Sequence, residues 1–163
     1  MTETPVWAAA DWIARTQLIL DSYARWTGRE LQSRVGDPAE QSRRLFEADF
    51  VVVAHGTEAD PILCYGNRKA LELWEMDLAA FLQTPSRKTA EPVHRDERRE
   101  MLERTARDGY FDDYQGVRIS STGRRFLIRK AIVWNLVDAD GQPAGQAASF
   151  ADWQPLEANR GLS

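Results

Sequence analysis

One stretch of alternating apolar and polar residues in the second half of the chain predicts a long β-strand with an interruption. The stretch reads RRFLIRKAIVWNLV from Arg124. Its apolar residues at alternate positions are Phe126, Ile128, Ile132, Trp134 and Leu136. A period of two places these side chains on one face of a strand, but Lys130 falls in the middle of that face. Because a buried ammonium group needs a partner, the favoured explanation is a β-bulge that turns Lys130 outward. A salt bridge to Glu75 or Glu91 and contact with an anionic ligand stay open.

Shorter runs of strand-forming residues predict four more strands. FEADFVVVAHG and ILCYGN flank the turn residues GTEADP, which indicates a hairpin. YFDDYQGVRIS precedes the long strand and PAGQAASF follows it. The turn between the last two strands contains Asp140 and Gly141, and this pair is a strong hairpin signal.

Apolar residues at three- and four-residue spacings predict helices. Residues 12–26 have an amphipathic pattern, and Gly28 supplies its end. Asp37 is placed to cap a second helix and Asn67 to cap a third. A short helix and an irregular loop follow, and then a helix over residues 93–108 that is rich in Glu and Arg. The predicted order is two helices, two strands, three helices and three strands.

The composition favours one globular domain without nucleic acid or membrane partners. The chain has 163 residues, 43% of them hydrophobic, so it can fill a core of its own. The formal net charge of −4 gives no general attraction to nucleic acid. The N-terminus lacks the pattern of a signal peptide, and no stretch approaches the roughly 18 apolar residues of a membrane span. Since the single Cys64 cannot form an intrachain disulfide, we expect a cytoplasmic protein.

Four separated motifs resemble the MEKHLA domain, a family related to PAS domains. The motifs are HGTEADPILCYGNRKALELWE, PSRKTAEP, GYFDDYQGVRISSTGRRFLIRKAIVWNL and GQAASF, and the resemblance covers residues 18–153. It implies an α+β fold: a PAS-like five-stranded antiparallel sheet with helices on one face and N-terminal flanking helices. We assign residues 1–30 to a flanking helix, 31–155 to the PAS-like domain and 156–163 to a tail. The resemblance also implies a stand-alone sensory or regulatory module that binds a small molecule or a protein partner and has no catalytic activity.

Arginine and aromatic side chains supply the candidate ligand-binding residues. Guanidinium groups bind carboxylates and phosphates through two-point contacts, and Tyr and Trp bring polar atoms that need partners when buried. The candidates are Tyr65, Asn67, Trp74, Arg87, Tyr114, Arg118, Lys130 and Trp134. Each has a structural alternative: aromatic residues on core-facing alternation usually form the core, and Asn67 is more often a helix cap. Arg87 can brace its loop through Glu91 or Asp96, and Arg118 can pair with Asp112 or Asp113.

The sequence argues against flavin, haem and metal cofactors. Flavin photosensors of the PAS type need a cysteine in the middle helices, where this chain reads TPSRKTAEP, and Cys64 lies in a strand. Gln146 is one position away from the glutamine of those sensors and is expected to face the other way. His94, the candidate haem ligand, begins a highly charged segment, and two isolated histidines with one cysteine do not make a metal site.

Two further expectations concern assembly and an alternative fold. The N-terminal amphipathic helix is a candidate homodimer contact, since PAS domains commonly dimerise through flanking helices. The alternative is a small NTF2-like cone-fold enzyme of the isomerase or hydrolyase type, in which Asp112, Asp113 and Tyr114 would transfer protons. The early pair of strands fits that fold poorly.

Overall fold

The structure, a computed structural model, describes residues 4–89 and 95–156, with the side chains of residues 95–98 and of residue 102 excepted. The helices are α1 (Ala10–Thr27), α2 (Pro38–Phe46), α3 (Arg68–Trp74), α4 (Leu78–Phe81) and α5 (Arg95–Asp108), with 3-10 turns at Val6–Ala8 and Ser86–Thr89. The strands are β1 (Val51–His55), β2 (Leu63–Gly66), β3 (Tyr110–Ile119), β4 (Arg125–Val137), β5 (Pro143–Phe150) and β6 (Asp152–Pro155).

The strands form one antiparallel sheet in the order β2-β1-β5-β4-β3. β6 follows β5 after one residue and pairs with the first part of β4, where Phe126 lies opposite Pro155 and Arg129 opposite Asp152. The predicted α+β fold class and its antiparallel sheet are therefore confirmed. The short sixth strand was not predicted.

Helices cover both faces of this sheet. The core between the sheet and α3–α5, here called the front core, contains Val51, Leu63, Ala70, Trp74, Phe81, Met101, Tyr114, Phe126, Ile128, Ala131, Val133 and Phe150. The core between the sheet and α1–α2, here called the back core, contains Trp12, Ile19, Leu20, Tyr23, Leu45, Val52, Ala54, Tyr65, Trp134, Leu136 and Ala147. Because both faces are buried, the strands carry apolar residues on both sides.

The amphipathic helix α1 packs on the sheet of its own chain. Its polar atoms also contact β4: the Trp134 indole donates to the carbonyl oxygen of Ile19 over 3.2 Å, and the Trp26 indole donates to that of Asn135 over 2.9 Å. Gly28 ends the helix with a φ of 71°. Packing within one chain accounts for the buried apolar face of α1, so that face does not require a second copy. The homodimer itself stays a prediction.

Lys130 lies in a β-bulge, as the favoured explanation proposed. It is exposed and has a φ of 55°, in the left-handed region. The apolar residues of β4 therefore do not share one face. Phe126 and Ile128, before the bulge, belong to the front core, whereas Trp134 and Leu136, after it, belong to the back core.

A second bulge in β3 compensates for the one in β4. Asp113 has a φ of 59°, and the register between the strands shifts on both sides of Tyr114. From Phe111 to Tyr114, β3 advances by three residues while β4 advances by two. From Tyr114 to Gly116, β3 advances by two residues while β4 advances by three. The two shifts cancel, so β3 stays paired with β4 at both ends.

Replacement of Ile19 by Ala tests whether α1 is part of the folded unit. Ile19 is fully buried in the back core, so Ile19→Ala should lower the unfolding free energy by about 2–5 kcal/mol in urea titrations. Val35, which is 73% exposed, supplies the control, because Val35→Ala should change stability by about 0.5 kcal/mol or less. Equal stability of the two variants would mean that α1 is not docked on the sheet.

Two substitutions of Lys130 distinguish the bulge from a continuous strand. An Ile would complete the apolar alternation of a regular strand, but a β-branched residue is strained at positive φ. Lys130→Ile should therefore lower the unfolding free energy by about 1–2 kcal/mol. The unfolding free energy of Lys130→Gly should stay within about 0.5 kcal/mol of that of the natural chain. The strain removed from the folded state offsets the conformational freedom added to the unfolded state. A higher unfolding free energy for Lys130→Ile than for Lys130→Gly in urea titrations would contradict the bulge.

Candidate functional site

A cavity of about 60 Å³ lies in the front core between the sheet and helices α3–α5. Its walls are mainly apolar and include Val53, Leu63, Trp74, Phe81, Met101 and Phe150. Its polar lining residues are His55, Ser86, Thr89, Tyr114, Arg118 and Gln146. Among the described residues that line this cavity, none is acidic and Arg118 is the one with a permanent charge.

Strand β3 positions Tyr114 and Arg118 beside each other on the cavity face. The two residues are four positions apart, so they point the same way, and Gly116 lies between them. A Cβ at Gly116 would lie 2.8 Å from the Tyr114 hydroxyl oxygen and 3.1 Å from Nη1 of Arg118. The missing side chain at Gly116 therefore lets the guanidinium approach the tyrosine.

The guanidinium of Arg118 is buried and bonded to neutral groups. The residue is only 6% exposed. Its Nη1 donates to the carbonyl oxygen of Val117 over 2.9 Å, and its Nη2 donates to the Tyr114 hydroxyl oxygen over 3.1 Å. The guanidinium carbon lies 5.4 Å from the centroid of the Tyr114 ring, a cation–π distance. The expected alternative, pairing with Asp112 or Asp113, is not found, since both carboxylates are exposed.

Two further residues that line the cavity, Trp74 and Gln146, each carry a buried polar atom. Within the described part of the chain, neither Nε1 of Trp74 nor Oε1 of Gln146 has a hydrogen-bond partner. Nε2 of Gln146 donates to Oδ1 of Asn135 over 3.0 Å, and Nδ2 of Asn135 donates to the carbonyl oxygen of Thr105 in α5 over 2.8 Å. This chain of bonds joins the cavity wall to α5.

The expectation that Gln146 faces away from the cavity is wrong. Gln146 lines the cavity and shares its strand face with Ala148 and Phe150, both of which contact the front core. The expectation was based on the distance of Gln146 from Gly145. The face on which a strand residue lies instead depends on whether an even number of positions separates it from the core residues of the same strand.

The structure brings three of the eight candidate residues to this cavity: Trp74, Tyr114 and Arg118. Two others lie in the back core. Tyr65 stacks on Trp12 with ring centroids 4.7 Å apart, and burial raises the pKa of its hydroxyl. Trp134 is fully buried beneath α1. Both aromatic rings lie on the opposite side of the sheet from the cavity.

The remaining three candidates have structural surroundings. Asn67 caps α3: its Oδ1 accepts from the backbone N–H groups of Ala70 and Val52, and its Nδ2 donates to the carbonyl oxygens of Leu45 and Phe50. All four contacts are internal, so the amide has the role of a helix cap.

Arg87 and Lys130 are exposed. Nε of Arg87 lies 3.1 Å from Oδ1 of Asp60, which was not among its expected partners. Those expected partners, Glu91 and the side chain of Asp96, lie outside the described residues. Lys130 sits on the bulge of β4 and does not line the cavity.

Sequence reasoning did not single out the cavity residues Ser86 and Thr89, and it assigned Gln146 to the wrong face. Ser86 and Thr89 come from a 3-10 turn of four residues, which is too short to show a period. The signal that could have identified Gln146 is its alternation with Ala148 and Phe150 along β5.

The cavity does not fit a flavin in this structure. An apolar cavity of roughly 150 Å³ holds one benzene ring, so about 60 Å³ is too small for a three-ring system. Cys64 lies in β2 away from the cavity, and burial raises the pKa of its thiol. His94, the candidate haem ligand, lies outside the described residues.

Within residues 4–89 and 95–156, no group of three or more metal-ligating side chains is present, and no helix is both long and apolar enough to cross a membrane.

Three solved structures of low sequence identity share the fold of this chain. A PAS domain of a Colwellia psychrerythraea protein is 10% identical, with a TM-score of 0.60 over 72% of this chain and 94% of that one. An RNA-binding light-oxygen-voltage receptor is 16% identical, with a TM-score of 0.61 over 77% of this chain and 36% of the receptor. A light-oxygen-voltage domain studied with a flavin analogue is 16% identical, with a TM-score of 0.54 over 74% of this chain and 87% of that one. The fold is therefore that of PAS and light-oxygen-voltage domains.

The family follows from the sequence. No curated protein matches the chain at a significant level. The model of the MEKHLA domain matches residues 13–155, which include most of α1 and all of the sheet. The chain belongs to the MEKHLA domain family.

Proposed function

We propose that this protein is a sensory module that binds a small molecule in the cavity between the sheet and α3–α5, reports its occupancy to a protein partner, and catalyses no reaction. The observation that carries the proposal is the buried guanidinium of Arg118 at a small, mainly apolar cavity. A few polar groups in an apolar pocket are typical of ligand sites. Two of the similar structures are an RNA-binding light-oxygen-voltage receptor and a light-oxygen-voltage domain studied with a flavin analogue.

Asn135 supplies a route by which occupancy would reach both helix layers. Its side chain accepts from Gln146 at the cavity and donates to the carbonyl oxygen of Thr105 in α5. Its carbonyl oxygen accepts from the Trp26 indole in α1. A ligand that packs against Gln146 in the cavity would shift this amide and alter the contacts of α5 and α1 together.

The absence of catalysis rests on the surroundings of the cavity tyrosine. The fold has helices on both faces of an open sheet. The enzyme alternative would require helices inside a cone-shaped sheet. Asp112 and Asp113 are exposed, whereas Tyr114 lines the cavity. A general base must lie within hydrogen-bond reach of the proton that it removes, and no described carboxylate lines this cavity, so the Asp–Tyr pair of the enzyme alternative is not assembled there.

The proposal extends to a cytoplasmic location and a protein partner rather than nucleic acid. Two exposed arginines of α5 are engaged with carboxylates: Arg104 lies 3.1 Å from Glu100, and Arg107 lies 3.2 Å from Asp108. Such pairing leaves little net positive charge for phosphates.

Native mass spectrometry with a cavity-filling variant tests ligand binding. Ala131 is fully buried and lines the cavity, so the two added methyl groups of Ala131→Val should occupy space that the ligand needs. Protein incubated with an extract of cell metabolites should carry a discrete extra mass that is lost on denaturation, and Ala131→Val should carry much less of it. Ala139→Val, in the exposed β4–β5 turn, is the control. A bare chain mass for all three proteins would contradict small-molecule binding.

A further inference from the structure

We propose that the molecule bound in this cavity is a small monocarboxylate anion, held by the guanidinium of Arg118 and enclosed by the apolar walls. This inference rests on the function proposed above and names the chemical class of the ligand. It follows from three properties of the cavity: a buried guanidinium without a counter-charge among the described residues, the cavity volume and the apolar nature of the walls.

The charge of Arg118 has no described counter-charge. Val117 and Tyr114 accept two of its hydrogen bonds, but a carbonyl and a hydroxyl are neutral. A buried charge that is bonded but not neutralised is costly, and the cost falls when an opposite charge binds to it. Carboxylates are matched by the two parallel N–H groups of a guanidinium.

The carboxylate of Glu75, directly after α3, is engaged elsewhere. Glu75 accepts hydrogen bonds from the hydroxyls of Ser120 and Thr122, and it lies 3.8 Å from Arg124. Those hydroxyls hold the pKa of the Glu75 carboxyl below its usual range. Glu75 is thus an anion committed to the β3–β4 turn, and no described carboxylate forms an ion pair with Arg118.

Volume and polarity limit the anion to a small, singly charged one with a short carbon chain. A cavity of about 60 Å³ is under half the roughly 150 Å³ that holds benzene, so it fits a body of a few carbon atoms. A single guanidinium neutralises one negative charge, so a dianion such as phosphate or sulfate would bring a second, unpaired charge against apolar walls. Trp74 and Phe81 form part of those walls and provide an apolar surface for the methyl and methylene groups of the ligand.

Gly116 allows the guanidinium to lie against the backbone of β3. A Cβ at this position would lie 3.1 Å from Nη1 of Arg118, so any larger residue would press on the group that binds the carboxylate. Glycine thus permits the guanidinium to hold its position at the cavity wall.

Removal of the charge tests whether it is uncompensated. In chloride buffer without carboxylates, Arg118→Met should raise the melting temperature by about 2–4 °C, the shift expected for roughly 1 kcal/mol in a chain of this size. Arg104→Met, on the exposed face of α5, is the matched control and should shift it by less than about 1 °C. A lower melting temperature for Arg118→Met than for the control would show that the chain itself neutralises Arg118 and would overturn the inference.

A panel of carboxylates and neutral isosteres tests the ligand class. Acetate, propionate and butyrate should raise the melting temperature of the natural chain and of Arg104→Met, and should bind in calorimetry. Acetamide, propionamide and butyramide at the same ionic strength should bind at least tenfold more weakly. Arg118→Met should lose the effect of the carboxylates while remaining folded.

The outcomes separate this inference from the proposed function. Equal binding of amides and carboxylates, or carboxylate binding that survives in Arg118→Met, would overturn the proposed anionic ligand. Either result would still be consistent with the proposed small-molecule sensor. The absence of any carboxylate effect would also overturn the anion. The proposed function would then be judged by the mass spectra of the natural chain and Ala131→Val.

Discussion

The structure depends on a strand that must bury both of its faces. β4 contacts the front core and the back core along its length, and the bulge at Lys130 decides which residues face which layer. Before the bulge, Phe126 faces α3; after it, Trp134 faces α1. A regular strand would present Phe126 and Trp134 to the same layer. The position of the bulge therefore determines the content of both cores and, with them, the walls of the cavity.

Local signals in the sequence were sufficient for most of the elements. Asp37 and Asn67 cap their helices as expected, and the Asp140–Gly141 turn joins β4 to β5. The assembly of the strands into one antiparallel sheet could not be read in the same way, because pairing between distant segments leaves no mark on local patterns. That part of the prediction came from the family resemblance.

Strand alternation identified part of the candidate site where that alternation is undisturbed. Tyr114, Gly116 and Arg118 follow one another at alternate positions after the bulge of β3, and the structure groups them as expected. Tyr65 and Trp134 have the same aromatic character but belong to the back core. A sheet that is buried on both sides gives apolar residues to both faces, so residue type alone cannot say which face borders a cavity.

The bulge of β3 also protects the exposed edge of the sheet. β3 is the last strand in the sheet order, and an edge strand can recruit a strand from another molecule. At Asp113 the backbone leaves the extended conformation, and the carboxylates of Asp112 and Asp113 are exposed there. A foreign strand that tried to extend the sheet would meet a broken ladder and two negative charges. The irregularity that keeps β3 in register with β4 therefore also opposes aggregation through this edge.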